Sequence, residues 1–193
     1  MSRFFSRRVR DPDALDISAF RDSLSGTEMR DLFDYWNAAR DNGATMPRRA
    51  DIDPLEIPKT LLPYLYIVIV EADGGYRFRL AGTRMAEVFK HDVTGKRLEQ
   101  VLEAHDLKNA VRSYGRVVQS AAPWYSRVTY KVDGVSGILY QRLTLPLGEG
   151  GVVTHLLGGL TIHRDHLIYE DFYESHGRHA LDVEDRLEAV LTL

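Results

Sequence analysis

The sequence predicts an α+β fold: one five-stranded antiparallel sheet with crossover helices on one face, flanked by N- and C-terminal helices. Three observations predict it. Two β-rich runs, 64–71 and 76–81, meet at Asp73-Gly74-Gly75, which is strong hairpin punctuation. From Thr83 to about Gln119 the apolar period turns helical. Three further β-rich runs, 124–132, 138–147 and 152–163, are separated by Gly-bearing turns at Asp133-Gly134 and Gly148-Glu149-Gly150-Gly151. Two hairpin-linked strands, a helical crossover of about forty residues and a three-stranded meander can close one sheet with helices on a single face.

Each element has its own signal. Residues 1–24 read as an extension whose basic start, Met1 to Arg10, is followed by no apolar run of signal-peptide length. A helix is predicted over 25–42 from Leu32, Phe33, Trp36 and Ala39, opened by a Ser25-x-x-Glu28 capping box and closed by Gly43. Pro47, Pro54, Pro58 and Pro63 make 43–63 a connector, because proline disfavours helix and strand alike. In 76–81, Tyr76, Phe78 and Leu80 alternate with Arg77 and Arg79, so one strand face is buried. A short helix carries Met85, Val88 and Phe89 behind a Thr83 cap, and Asp92-Val93-Thr94-Gly95 interrupts it. A second short helix surrounds Leu98, Val101 and Leu102. A longer one presents Leu107, Ala110, Val111, Tyr114, Val117 and Val118 as one stripe that packs on something flat. The run 152–163 is apolar on both faces and therefore central. The tail, 164–193, is polar except where Val183, Leu187, Val190 and Leu191 recur at helical spacing behind Asp182. With no internal repeat, the chain divides into the extension 1–24, a flanking helix and connector 25–63, a core 64–163 and a tail 164–193 with a short helix.

Composition narrows the function. The absence of cysteine removes disulfides, thiolate metal sites, iron–sulfur clusters and cysteinyl flavin adducts, and points to a reducing, cytoplasmic setting. Lys and Arg number 25 against 28 Asp and Glu, a net charge of −3 that gives no basic field for nucleic acid. The longest apolar stretch, Leu65 to Val70, is far below the roughly 20 residues a membrane-spanning helix needs.

The order of elements is that of a PAS-like fold, and local motifs sharpen the likeness. Trp36, then Met46-Pro47-Arg48-Arg49-x-Asp51-x-Asp53-Pro54-x-x-Ile57, then Arg77-Phe78-Arg79-Leu80-Ala81-Gly82-Thr83, resembles the bacterial PAS family formerly catalogued as a domain of unknown function. Thr94-Gly95, Leu143-Thr144-Leu145-Pro146-Leu147 and Leu156-Leu157-Gly158-Gly159 agree with it, so the resemblance covers about residues 28–162. What it implies is a sensory or regulatory module, commonly a homodimer. It implies no catalytic residue and no particular ligand, and the cofactor stays unknown.

The residues offer several sites. A cavity between sheet and crossover would be lined by Phe78, Leu80, Val128, Tyr130 and Leu143, with Met85, Phe89 and Tyr114 above, and would take an unidentified small molecule; solid packing explains the same cluster. Arg48 and Arg49 suit an anion or a partner carboxylate, or they pair with Asp51 and Asp53 within the connector. Leu32, Phe33 and Trp36 suit a dimer interface, or pack on their own sheet. His163, His166, His176 and His179 form two i, i+3 pairs of metal-ligating type, although solvated surface histidines account for them. His105 is the nearest histidine for a haem, and helix capping explains it equally. An acid/base enzyme would use His155 with His91 and Asp92, without support from any nucleophile elbow or phosphate loop. The chain carries no kinase, cyclase or DNA-binding segment, so a signal would pass to a separate protein. Three functions follow: a sensor with a hollow core and polar groups converging in it, an adaptor with a filled core and an apolar patch at Trp36, or an enzyme with a perturbed histidine in a cleft.

Overall fold

Alternate residues of a strand point to opposite sides, so strands that are apolar on both sides need cover on both faces of their sheet. The structure, a computed structural model, describes residues 13–40, 44–89, 91–132, 135–162 and 182–192. Its elements run β1 (Asp13–Leu15), α1 (Ile17–Ser23), α2 (Gly26–Ala38), β2 (Leu65–Val70), β3 (Tyr76–Ala81), α3 (Thr83–Phe89), α4 (Ala104–Ser120), β4 (Trp124–Val132), β5 (Val135–Glu149), β6 (Val152–Ile162) and β7 (Asp182–Leu191). They form one sheet in the order β1-β7-β4-β5-β6-β2-β3. The five strands β2 to β6 are the predicted ones, in the predicted antiparallel order, with β6 between β5 and β2.

Two strands extend that sheet, and both correct the sequence reading. Residues 182–191 form no helix: they pair antiparallel with β4, from Trp124 opposite Val190 to Lys131 opposite Asp182. Pairing along a whole strand edge outweighs the weak local propensity of a short, unsupported helix. β1, drawn from the N-terminal extension, then pairs parallel with β7, and α1 follows it behind the Asp16 cap, whose carboxylate accepts the Ala19 N–H at 2.8 Å.

The sheet is also covered on both faces, where helices on a single face were expected. Tyr66 of β2 meets Tyr114 of α4 with ring centroids 6.2 Å apart, which defines an inner face. A Cβ on Gly159 would lie 2.9 Å from Leu32 and 3.4 Å from Met29 of α2, whereas one on Gly158 would strike Tyr66. α2 therefore packs on the opposite, outer face. Leu32, Phe33 and Trp36 are fully buried there within a single chain, and the Trp36 indole N–H donates to the Pro146 carbonyl at 2.9 Å. The contact offered for a second copy is occupied by the chain's own sheet. The Ser25 capping box does not form; α2 opens without a side-chain cap, and the Ser25 hydroxyl accepts from Arg127 of β4 instead. Gly43 lies outside the described residues.

The connector closes the rest of the outer face with buried Met46, Ile52, Ile57 and Leu61. The exposed edge of β3 is covered too: Phe78 N–H donates to the Lys96 carbonyl at 2.9 Å, and Gly95 N–H to the Phe78 carbonyl at 2.7 Å.

Candidate functional site

Register sets the chemistry of the inner face. One row across the sheet is Tyr66 (β2), Gly158 (β6), Thr144 (β5) and Trp124 (β4); the next is Leu160 (β6), Arg142 (β5), Ser126 (β4) and Glu188 (β7). Gly158 lets the Tyr66 ring lie across β6, because a Cβ there would stand 1.9 Å from Tyr66 Cζ. The Tyr66 hydroxyl thereby reaches Thr144 Oγ1 on β5 at 3.2 Å. Tyr66 also packs edge-on against Phe78, which touches Phe89 of α3 at 6.4 Å between centroids.

From above, α4 contributes Ser113, Tyr114 and Arg116. The Arg142 guanidinium lies 5.6 Å from the Tyr114 ring centroid and donates through Nη2 to Ser113 Oγ at 2.7 Å. Ser113 in turn donates to the Asn109 carbonyl at 2.8 Å, so its hydroxyl is used in both directions. Arg116 stacks over Trp124 and reaches the largely buried Glu188 at 3.1 Å. Burial opposes the charge on Arg142, but Tyr66, Tyr114, Tyr140 and Glu188 more than offset it, so its pKa is raised and it stays cationic. Burial pushes the Tyr114 phenol well above its usual range, with Tyr66 adding and Arg142 opposing. Tyr114 is thus a neutral hydroxyl beside a fixed cation.

The sequence-predicted cavity residues do not all come together. Phe78, Phe89, Tyr114 and Val128 share the inner side, and Met85 is buried on α3 four residues before Phe89. Leu80 does not join them. A bulge at Arg79 pairs Phe78 with Val68 but Leu80 with Ile67, sending the two side chains to opposite faces. Leu143, opposite Gly159 and Tyr125, also faces outward toward α2. Tyr130 sits on β4 opposite Gly137, and its side chain lies outside the description. Leu80 instead lines an outer-face cavity of about 360 Å³ between the connector and the sheet, with Ile57, Leu62, Leu65, Ile67 and Leu157, and with Lys59 and Thr83 among its polar residues.

The other candidates resolve locally. Arg48 grips Asp51 at 2.7 Å, and Arg49 donates to the Ile52 carbonyl at 2.8 Å, so both arginines fold the connector. The Asp51 carboxyl is held below its usual range by Arg48. His155 has its pKa lowered by burial and by Arg49 and Arg79; its hydrogen-bonding neighbour is Thr154, at 3.0 Å from Nδ1. The Asp92 carboxylate, next to His91 in sequence, accepts the Thr94 N–H at 2.8 Å. The His105 side chain and His163, His166, His176 and His179 lie outside the described residues. Among the described residues no three metal-ligating side chains converge, and no helix is long and apolar enough to cross a membrane.

Sequence reasoning missed Arg142, Ser113, Tyr66 and Thr144. The available signal was the polar half of 140–147, where Arg142 and Thr144 alternate with Leu143 and Leu145. Reading the apolar residues as the site-facing ones presumes helices on one face only.

Solved structures provide comparisons of this architecture. The PAS domain of Bordetella pertussis BvgS is 17% identical, with a TM-score of 0.42, over 64% of this chain and 96% of that one. The light-state LOV domain of the blue-light photoreceptor Aureochrome1 is 9% identical, with a TM-score of 0.36, over 60% and 92%. A PAS domain from Colwellia psychrerythraea is 14% identical, with a TM-score of 0.37, over 57% and 98%. Curated proteins provide no match. The sequence itself is decisive: residues 25–161 match the PAS domain family, a span that begins at the cap of α2 and ends in β6. It takes in both layers that enclose the sheet and every residue of the inner constellation except Glu188, and on that match the chain belongs to the PAS domain family.

Proposed function

We propose that this chain is a regulatory module whose inner face, between α4 and the sheet, takes a small molecule, the bound state being read by a separate protein. The family is commonly sensory, and one observation carries the reading to this chain: Arg142, Ser113, Tyr66, Tyr114 and Thr144 converge beneath α4, beside the Arg116–Glu188 pair and among the aromatic rings of the inner face. A core built solely for packing has no use for a desolvated cation, since burying charge costs several kcal/mol unless it is compensated. The adaptor reading asked for an apolar patch at Trp36, which is instead buried. The enzyme reading asked for a perturbed histidine in a cleft: the His155 pKa is lowered by burial, Arg49 and Arg79, and its hydrogen-bonding neighbour is the Thr154 hydroxyl, which supplies no acid or base partner.

The test is native mass spectrometry of protein purified from its own host, followed by denaturing release. A stoichiometric small molecule that leaves on unfolding is the expected result. An empty protein, whose melting temperature is moved by no small molecule in a metabolite screen, would overturn the reading.

A further inference from the structure

We propose that the ligand of this inner face is a small monocarboxylate with an apolar or aromatic body, its carboxylate held by the guanidinium of Arg142. The proposal rests on the regulatory reading above and adds the ligand's chemical class. Three observations lead to it. Arg142 is the cationic centre of the inner row, yet no carboxylate forms an ion pair with it among the described residues; Glu188, two strands away across the small and buried Ser126, is engaged by Arg116. Its Nη2 is committed to Ser113, but its buried Nε–H has no hydrogen-bond acceptor among the described residues. A desolvated donor on a charged group is costly to leave unmade, and the N–H fork of a guanidinium matches a carboxylate edge in both spacing and charge.

The surroundings set the rest of the ligand. Tyr114, Tyr66, Phe78 and Phe89 offer ring faces and edges to an apolar body, and the neutral Tyr114 hydroxyl is a donor near the same centre. A single cation compensates a single added negative charge, and the buried carboxylate of Glu188 in the same row, which already acts on Arg142, disfavours a second. Inorganic anions and dicarboxylates are therefore poorer fits than a monoacid.

The experiment measures melting temperature and calorimetric binding with benzoate, hexanoate, benzamide, hexanamide and succinate. The expected result is saturable binding of one or both monocarboxylates, with the matching amide and succinate each weaker by roughly thirtyfold or more, the scale set by losing a partner of a buried charge. Arg142→Gln should abolish the preference for acid over amide. Arg142→Lys, which keeps the charge and loses the fork, should reduce it while preserving the circular dichroism spectrum, and so covers the case in which the glutamine variant fails to fold. Equal binding of acid and amide, or a preference unaffected by Arg142→Lys, would overturn the monocarboxylate class while leaving a small-molecule sensor standing, as would release of a neutral molecule from the purified protein. Failure of both acids to bind saturably overturns the class as well; if the purified protein is also empty and unresponsive, the regulatory reading falls with it.

Discussion

Gly158 fixes the inner site more than any side chain does, because the Tyr66 ring occupies the space its Cβ would take. Gly158→Ala should push that ring off β6, break the contact with Thr144 and destabilise the fold by about 1–3 kcal/mol, the usual cost of overpacking. Urea unfolding of a double-mutant cycle with Tyr66→Leu checks the cause: the alanine should cost much less once the ring is gone, and equal cost in both backgrounds would place the strain elsewhere. His155 gives a pH signature on the outer face. Its folded pKa is depressed from 6.5 by burial, Arg49 and Arg79, so the unfolded chain binds the proton more readily. The associated stability is complete above pH 6.5 and is lost as pH falls from there through the folded pKa. The urea midpoint should therefore drop more between pH 7.5 and 5.5 in the wild type than in His155→Gln; parallel curves would show that the histidine is not the sensitive group. Single residues were also where the sequence was least readable. Phe78 and Leu80 share a parity that a bulge at Arg79 cancels, and nothing in the string Arg77-Phe78-Arg79-Leu80 announces a bulge.

At the scale of elements, legibility followed the strength of the local pattern. The stripe from Leu107 to Val118 became α4, and the Asp73-Gly74-Gly75 turn became a hairpin in which Gly74 takes a φ of 81° and Glu71 N–H bonds the Gly75 carbonyl at 2.8 Å. Period and turn chemistry are properties of neighbours in sequence, so they survive without the rest of the fold. β7 is the opposite case. Its residues carry a weak helical period, and what makes them a strand is the open edge of β4, more than fifty positions earlier in the chain. The Ser25-x-x-Glu28 box failed for a related reason: Arg127 competes for the Ser25 hydroxyl, and a long-range donor leaves no trace in a four-residue motif. The candidate site was readable in part. The inner aromatics Phe78, Phe89 and Tyr114 follow from alternation and helical spacing, whereas the polar centre at Arg142 depends on which face of β5 turns inward. That choice was fixed by α2, which claims the Leu143 and Leu145 side for itself.

At the scale of the whole molecule, α2 covers the outer face of the sheet, although the sequence placed it outside the core 64–163. The outer face carries Leu65, Ile67, Leu143, Leu145, Leu147 and Leu157, all essentially inaccessible to solvent. Their cover comes from Met29, Leu32, Phe33 and Trp36 of α2, from Phe20 and Leu24 before it, and from the connector. Each large side chain of that cover contributes about 1.5–3 kcal/mol by burial. The four from α2 alone therefore approach the whole stability of an ordinary domain, about 5–15 kcal/mol. Trp36 also supplies the indole N–H that satisfies the Pro146 carbonyl. A chain of residues 64–193 should consequently expose an apolar sheet face and aggregate or bind a hydrophobic dye strongly, while one of residues 13–193 should unfold cooperatively like the full sequence. Light scattering and dye fluorescence on the two fragments decide it, and a soluble, cooperative 64–193 would make α2 an accessory. If α2 proves essential, the inner site and the outer layer share one sheet only a residue apart, at Gly158 and Gly159. Any ligand-driven shift of Tyr66 would then be felt by Leu32 and Met29 through the backbone of β6.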